Sequence, residues 1–541
     1  MTQLESHRRW RTALILATVL CVGSAAAASS PLRPLRTVLG EASEVPQIVI
    51  DGDQALLTLD DAIEIALEQN LSLELQRYDR TSALWRIEGA KGVFDLGTSL
   101  SAGFQSSKNP SSSQLDGAAV LDRDDRDLSI QLNQLTPYGG VGSFGLFTNR
   151  NSSNSTFSLI DPSLSASTSI SYRQPLLRGF GALSTKRSIL QARITSDRSG
   201  KLFEQEVTSV IQQVQQAYWA LVDAREQLTV AEEGLALAIE LDERNRVQVD
   251  VGTLAPIELV QSEATVATRQ EGIITARTAV GDAEDQLLQL LNIDPGALWD
   301  MDLVPQTEPE VVDVEVDVDA ALEAAYQNRP EMRISDLDIE SLEIESAFFR
   351  RERLPSLDVT VTYGTVGLGG RSSVQDPETG DLRVVDEDLI DALDEAVSRD
   401  FDSIGMRLDV SYPLQNRAAR ANSATADLDL ERARTDQDRL RLQIRTEVRA
   451  AARRLESAVQ RIETARASRS AQERNLEAEQ KRYENGMSTS YQVTEIQEDL
   501  TLARSREVSA ITEYRNALTE LYRATGQLLE ETGVELLEGS L

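Results

Sequence analysis

Carboxylates are the side chains of this sequence whose abundance suggests chemistry. The chain has 88 aspartate and glutamate residues against 54 lysine and arginine residues, which gives a formal net charge of -34. Its one cysteine is Cys21 and its one histidine is His7. A chain that loses both has no disulfide, no thiolate nucleophile, no histidine-based triad and no His/Cys metal site. We therefore expect no cofactor and no metal ion, and only carboxylate-based catalysis stays open.

The N-terminus has the pattern of a secretory signal peptide that contains both residues. Three arginines within residues 8–11 precede a short apolar run, Ala13 to Val22, and small residues follow at Ser24 to Ala28. The run is too short for a membrane-spanning helix, and no later stretch is long and apolar enough. Cys21 follows the bulky Leu20, where a lipoprotein signal has a small residue, so we assign it to a removed signal at 1–28. The acidity of the remaining chain disfavours nucleic-acid binding.

Two long coiled-coil elements form the scaffold of the chain. A large apolar residue recurs every seven positions, and a small one follows it three positions later. Alanine at such a core position lets helix axes approach closely. The pattern returns 234 residues later. The first copy has Val207, Val214, Leu221, Leu228 and Leu235 with Val210, Ala217, Ala224, Ala231 and Ala238, and the second has Val448, Leu455, Ile462 and Leu476 with Ala451, Ala458 and Ala465.

The duplication extends beyond these helices and sets the predicted domain organisation. After a lead-in at 29–57, a first repeat spans 58–292 and a second spans 318–530, with an acidic linker at 293–317 and a tail at 531–541. Each repeat begins with a helix, continues through alternating strand-like runs at about 97–174 or about 357–412, and ends in a helical hairpin. Glycines predict the hairpin tips near 252 and 486. The polar stretches 106–125 and 367–402 are predicted to be loops.

A predicted β-hairpin in the first repeat has no counterpart in the second. Asp127 to Leu135 and Val141 to Asn149 flank the turn signal Thr136-Pro137-Tyr138-Gly139-Gly140. The other strand-like runs have about the length of a tilted strand that crosses a bilayer. The hairpin is therefore either a surface feature or two additional strands of the same sheet.

Short motifs at the element junctions complete the pattern. They are Ala324-Ala325-Tyr326-Gln327-Asn328-Arg329-Pro330-Glu331, Gln174-Pro175-Leu176-Leu177-Arg178-Gly179-Phe180-Gly181, Tyr412-Pro413-Leu414, Val251-Gly252-Thr253 and Tyr483-Glu484-Asn485-Gly486. Together with the signal and the duplication, they make the sequence resemble the TolC family of outer-membrane efflux and secretion channels. The resemblance runs from residue 58 to residue 530.

The resemblance implies a fold and a function. The fold is α+β, dominated by long coiled-coil helices, in which three protomers form an outer-membrane β-barrel continued by a periplasmic α-barrel. The implied function is a non-enzymatic channel of the outer membrane with a large periplasmic part. It acts as the exit duct of a tripartite efflux pump or a type I secretion system. The implied partners are two further copies of the chain, a periplasmic adaptor and an inner-membrane transporter.

The resemblance also assigns roles at the hairpin tips, where the family closes its periplasmic mouth until an adaptor docks. Tyr483 matches a gate tyrosine, and Glu495 and Gln492 stand where some members have rings of aspartate. Ser488 stands where some members have an arginine. Each of these positions is also compatible with a solvated polar residue at a helix end. The predicted gate is Tyr483, Gln492, Glu495 and Glu258, and the predicted adaptor-docking tips are Gly252, Thr253, Gly486 and Met487.

Two functions from other classes compete with the channel. A periplasmic coiled-coil structural or adaptor protein explains the heptads but not the alternating runs between the helices. A carboxylate-dependent hydrolase uses the abundant acidic residues, but acidic runs on helices are usually solvated faces. The exported substrate and the class of partner pump stay open.

Overall fold

The computed structural model describes residues 49–111, 117–156, 158–293, 296–312, 316–375 and 382–535. The predicted signal peptide, most of the lead-in and the last six residues of the tail lie outside the described residues. The chain forms two compact units, one from residues 85–193 and 340–431 and the other from 49–84, 194–339 and 432–535. Each unit takes segments from both sequence repeats. In the described part of the chain, no helix is both long and apolar enough to cross a membrane.

The elements follow the predicted order of helix, strands and helical hairpin in each repeat. The strands are β1 (Val49–Asp51), β2 (Gln54–Leu57), β3 (Gly97–Pro110), β4 (Val120–Leu135), β5 (Val141–Ser153), β6 (Ile160–Pro175), β7 (Asp302–Pro305), β8 (Ser356–Gln375), β9 (Leu382–Glu387) and β10 (Asp402–Ser411). The helices are α1 (Leu59–Gln69), α2 (Leu71–Lys91), α3 (Ala182–Asp250), α4 (Pro256–Leu291), α5 (Val318–Asn328), α6 (Pro330–Glu352), α7 (Leu389–Ser398), α8 (Arg417–Glu484), α9 (Ser490–Thr525) and α10 (Leu528–Glu531).

The first unit is built on one antiparallel sheet in the order β10-β8-β6-β5-β4-β3, and β9 pairs with the far end of β8. The predicted hairpin forms β4 and β5, which pair with each other from Leu135 and Val141 outward. These strands also pair with β3 on one side and with β6 on the other. The hairpin is therefore part of the sheet, and the interpretation as a separate surface feature is wrong.

The two faces of the sheet differ in polarity because side chains alternate along each strand. Residues directly opposite each other in the pairing share a face. The register therefore assigns most of the large apolar residues of the six long strands to one side, which we call the apolar face, whereas Phe147, Val366 and Leu368 lie on the other side. Its members include Leu100 and Phe104 on β3, Leu128, Ile130 and Leu132 on β4, Phe144 and Leu146 on β5, Ile170 and Tyr172 on β6, Val359, Val361 and Tyr363 on β8, and Ile404, Met406, Leu408 and Val410 on β10.

Helix α7 packs on the apolar face through its smallest side chains. Ala392 and Ala396 are buried against Ala166 of β6. A Cβ atom on Gly367 of β8 would lie 2.0 Å from the carbonyl oxygen of Ala392. The helix begins with a capping box between Asp388 and Asp391. Contact at this distance requires glycine on the strand.

The predicted loops at 106–125 and 367–402 are wrong for most of their described residues. The first contains the end of β3 and the start of β4, and the second contains the end of β8, then β9 and α7. Their central residues, 112–116 and 376–381, lie outside the described residues. Long strands continue here with serine, aspartate and glycine side chains, a composition that is typical of solvated loops.

The second unit contains the coiled-coil seams, and the predicted heptad core is confirmed in it. Val207, Val214 and Leu221 are almost inaccessible to solvent, as are Val448 and Leu455 in the second copy. Leu228 and Leu235 are only partly buried. The apolar seam of α3 is therefore less well buried around Leu228 and Leu235, and it is buried again at Ala238 and Leu241.

The contact between α3 and α9, which joins the two repeats, combines polar bonds with an apolar cluster near the tips. Thr519 donates a hydrogen bond to Gln215 at 2.6 Å, and Ser505 donates one to Gln227 at 2.6 Å. Each of these two neutral bonds contributes about 1 kcal/mol net. Thr512 lies 3.2 Å from the carboxylate of Asp223. Near the tips, Leu241 shares an apolar cluster with residues of α9.

The predicted linker at 293–317 is not irregular throughout. Asp302–Pro305 forms β7, which pairs in parallel with β2 and buries Leu303. Tyr218 anchors this small sheet to α3, because its hydroxyl donates to the Leu57 carbonyl at 3.2 Å and accepts from the Thr307 amide at 2.9 Å. The strand is only four residues long, so its alternation is too short to recognise in sequence.

Gly367→Val should release α7 from the sheet, because the new Cβ would collide with backbone that no rotamer change can move. We expect faster amide hydrogen exchange in residues 389–398 and unchanged exchange in β4 and β5. Gly405→Val is the matched control, since a Cβ there meets nothing within 4 Å. Unchanged protection of α7 in the Gly367 variant would contradict this packing.

Candidate functional site at the hairpin tips

The first tip joins α3 to α4 through a left-handed glycine. Gly252 has φ of 77°, and its amide donates to the Val249 carbonyl at 2.9 Å. The Thr253 amide and hydroxyl both bond to the carbonyl of Gln248, at 2.9 and 3.0 Å. These bonds satisfy carbonyls at the end of α3, as in a glycine C-cap. Pro256 then starts α4, where its missing N–H has no helical partner to lose.

The second tip repeats this design between α8 and α9. Gly486 has φ of 74°, and its amide donates to the Tyr483 carbonyl at 2.9 Å. The Met487 amide donates to the Arg482 carbonyl at 2.9 Å. Helix α9 then begins with a capping box in which Thr489 and Gln492 exchange side-chain and backbone bonds. The structure therefore has its turns at the predicted positions, 252 and 486.

Tyr483 joins the two tips by a buried hydrogen bond. Its hydroxyl donates to Asn245 Oδ1 at 2.6 Å and lies 3.3 Å from Gln248 Oε1. Asn245 is fully buried, and its Nδ2 atom has no partner among the described residues. Burial, helped by the charge of Glu258, raises the pKa of Tyr483 above its ordinary value near 10. The phenol is thus held neutral between α8 and α3.

Asn245 was missed by the sequence reasoning, although its spacing carries a signal. It stands seven residues after Ala238 and therefore continues the small-residue row of α3. An asparagine at a coiled-coil core position sets register at a cost in stability. The row thus changes from alanine to a hydrogen-bonding residue close to the tip.

Two carboxylates hold serines beside the same tips. Ser490 is buried and donates to Glu258, which links the start of α9 to the start of α4. Ser488 contacts the buried carboxylate of Glu479, which also pairs with Arg482 at 3.0 Å. Position 488 thus has a serine where the resemblance expects an arginine. The guanidinium that contacts the Glu479 carboxylate belongs to Arg482 of α8.

The remaining predicted gate residues have different environments. The Gln492 side chain accepts from the Thr489 amide at 3.4 Å and lies 2.8 Å from the Ser488 hydroxyl, so it caps its own helix. Glu495 is exposed and forms no ion pair with the described residues. The structure therefore brings Tyr483 and Glu258 into contacts between hairpins, and it leaves Glu495 facing solvent.

The outer surface of the tips is unusually apolar for a solvated helix end. Met487 of the second tip is 64% exposed and Val251 of the first is 69% exposed. Neighbouring large apolar side chains are exposed as well, and such patches mark interaction surfaces. The others are Val247, Ile257, Val260 and Tyr491.

Comparisons with known proteins agree with this geometry. Residues 321–527 match the model of the family described as outer membrane efflux protein. No curated protein sequence matches the chain. The fold is similar to the Campylobacter jejuni CmeC outer membrane channel (16% identity, TM-score 0.62, covering 87% of this chain and 86% of that one). It is also similar to Vibrio cholerae VceC (14%, 0.60, 86% and 96%) and to the open state of Neisseria gonorrhoeae MtrE (16%, 0.57, 87% and 89%).

These findings confirm the predicted resemblance to the TolC family and the predicted α+β fold class with long helices. The family is one of transport proteins of the outer membrane and not of enzymes. The solved structures share the fold at low identity, so they assign no role to single residues of this chain.

Tyr483→Phe should loosen the tips, because it removes the donor to Asn245 and leaves a buried acceptor unpaired. We expect a loss of about 1–3 kcal/mol of local stability, measured by hydrogen exchange in residues 241–250 and 476–493. Tyr491→Phe is the matched control, since Tyr491 is exposed at the same tip. Equal exchange in both variants would show that the hydrogen bond does not hold the tips.

The raised pKa of Tyr483 gives the same experiment a pH dependence. A phenol whose pKa is higher in the folded state stabilises the fold below the ordinary value near 10, and this contribution is lost as pH rises through the folded-state pKa. Protection of the tips should therefore fall on alkaline titration more steeply in the native chain than in Tyr483→Phe.

Proposed function

We propose that this chain works as a trimeric channel of the outer membrane and forms the exit duct of a tripartite efflux pump or a type I secretion system. Within that system it docks a periplasmic adaptor and an inner-membrane transporter, which supplies the motive force. The observation that carries the proposal is the sheet of six long strands, with one apolar face, which α7 covers near β6 and β8, and two unpaired edges. A periplasmic coiled-coil protein without a pore does not account for that face.

The apolar residues run diagonally across the sheet, as expected for tilted strands in a bilayer. The register aligns Ile404 on β10 with Tyr363, Ile170, Phe144, Leu132 and finally Thr98 on β3. On β10 the apolar run continues from this row toward the helices, to Val410. On β3 it begins beyond the row, at Leu100. The centre of the band moves about seven residues over five strand steps, which corresponds to a tilt of roughly 45°, close to the 35–45° of membrane barrels.

The two edges of the sheet support closure by further copies. The pairing ends at β3 on one side and at β10 on the other, so each edge strand has a row of free backbone groups in the described structure. Unpaired backbone groups are not tolerated in hydrocarbon, so the edges must pair. Three copies of six long strands would close an eighteen-stranded barrel, against the twelve strands of a family trimer with four per protomer.

Complementary charges on the outermost helices support the same association. Arg445, Arg449 and Arg453 form an exposed stripe on α8, without ion pairs to the described residues. Asp282 and Asp285 are exposed on α4 and are likewise unpaired. Arg453 and Asp285 are equally far along the chain from Gly486 and Gly252, so they lie at similar heights above the joined tips. The basic helix of one copy therefore fits the acidic helix of the next.

The contacts at the tips support a gate. The bond from Tyr483 to Asn245 and the bond from Ser490 to Glu258 both join the two hairpins. Three copies of Glu495 at the mouth of a channel would repel one another and attract cations. An adaptor docked at Gly252, Thr253, Gly486 and Met487 would cover the exposed apolar side chains of the tips. Because these side chains lie next to the bonds between the hairpins, docking would disturb those bonds.

Purified protein in a planar lipid bilayer should give discrete conductance steps. Replacing Tyr483 and Glu495 with alanine should increase the conductance, because the buried bond that joins the two hairpins is lost. Tyr491→Ala controls for the loss of a tip tyrosine. Silence from inserted protein, even after both tip hairpins are removed, would overturn the channel.

Reversing charge on one edge helix should dissociate the trimer, and reversing both should restore it. Arg449→Glu with Arg453→Glu, or Asp282→Arg with Asp285→Arg, places like charges together at the proposed interface. The fourfold variant exchanges the signs and restores attraction. Sedimentation of the detergent-solubilised protein measures the oligomer. Trimers in all three variants would rule out this electrostatic contact, and a monomeric fourfold variant would do so as well.

A further inference from the structure

Two arginines stand side by side at the loop end of the apolar face. Arg126 on β4 and Arg150 on β5 are direct partners in the strand pairing, so both side chains point to the same side. The register also pairs Arg126 with Phe104 and Arg150 with Leu164. One row across four strands therefore reads phenylalanine, arginine, arginine, leucine.

On β4 and β5, the two arginines mark the boundary of the apolar band, because Leu128 and Leu146 are the last large apolar residues of that face before them. The next row toward the helices contains Ala102, Leu128, Thr148 and Ala166, and the next row toward the loops contains Ser106, Asp124 and Ser152. The ends of the long helices α2, α3, α6 and α8 all join strands at the opposite end of the sheet. In the outer membrane, the arginine pair therefore lies at the outer surface of the bilayer.

The arginine pair is not explained by contacts within the protein. Like charges directly opposite on neighbouring strands destabilise a sheet. Both side chains are exposed, and neither forms an ion pair with a described carboxylate, although Asp124 lies in the next row of the same face. The contact given for Arg126 is with the Phe104 ring, whose centroid lies 5.6 Å from its Cζ atom. An external anion would remove the repulsion.

We propose that Arg126 and Arg150 bind the phosphate group of a phosphorylated lipid in the outer leaflet. Two planar guanidiniums match the oxygens of one phosphate by paired hydrogen bonds. Their stems extend over apolar surface while their charged ends stay at headgroup level. Phe104 flanks the pair on β3 and contacts the acyl chains. The inference rests on the proposed function only in that the apolar face is in the membrane.

The test is binding of lipid A, which carries phosphates on an acylated sugar, to the purified full-length protein, measured by native mass spectrometry. Arg126→Gln with Arg150→Gln should weaken lipid A binding by about tenfold or more, since two charge-assisted contacts are lost. Arg123→Gln is the matched control, because it removes the same charge from the polar face of the same strand. It should leave binding unchanged.

Two further arms separate the alternatives. Dephosphorylated lipid A should bind the native chain as weakly as intact lipid A binds the double variant, and millimolar inorganic phosphate should not displace intact lipid A. Equal binding by the double variant and the native chain overturns the site, and so does equal weakening by Arg123→Gln. Conductance of the double variant is measured in parallel. If the double variant loses lipid binding but keeps its conductance, the result supports the site. If lipid A binds but neither the native chain nor any variant conducts, the result counts against the channel and leaves the lipid site standing.

Discussion

A strand in hydrocarbon must pair both of its edges, and the rest of this molecule depends on that constraint. Each unpaired N–H or C=O in lipid costs several kcal/mol, and β3 and β10 have long rows of them. No side-chain substitution removes this penalty. In the proposed trimer, the apolar face, the diagonal band and the edge-to-edge closure are therefore one solution: the apolar face accepts lipid only if other copies supply the missing strands.

The hairpin tips solve a different problem with weaker bonds. Along α3 the apolar seam is tight at Val207 and Val214 but loosens by Leu235, and a buried asparagine follows at Asn245. Between the repeats, hydrogen bonds such as Thr519 to Gln215 accompany the apolar packing. Neutral hydrogen bonds can be exchanged for bonds to water at a net cost of about 1 kcal/mol each. In the proposed gate, we expect a helical hairpin held in this way to separate at its end without unfolding its seam.

Much of this architecture could be predicted from the sequence because its signals are local. The heptads gave the core of the helices, glycines gave both tips, and alternation with a turn gave β4 and β5. Helix α7 was missed because it occupies only ten residues within a polar stretch, and its packing depends on a contact between Gly367 and Ala392. The bonds of Glu258 with Ser490 and of Asn245 with Tyr483 join residues more than 230 positions apart, so no local pattern contains them. Only the place of Asn245 in the alanine row was open to sequence reasoning.

The β4–β5 hairpin has a property that single strands lack. It begins and ends at the loop end of the sheet, and its one turn at 136–140 is closed by its own backbone bonds, such as Thr136 to Gly140 at 2.7 Å. Adding or deleting such a unit leaves the direction of every other strand unchanged, so β3 and β6 would still run antiparallel if they met. A closed barrel can thus change its bore in whole hairpins while the helices stay as they are. From twelve to eighteen strands, the diameter grows about 1.5-fold and the open cross-section about twofold. The bore of such an exit therefore changes during evolution by whole hairpins, and it does so independently of the gate.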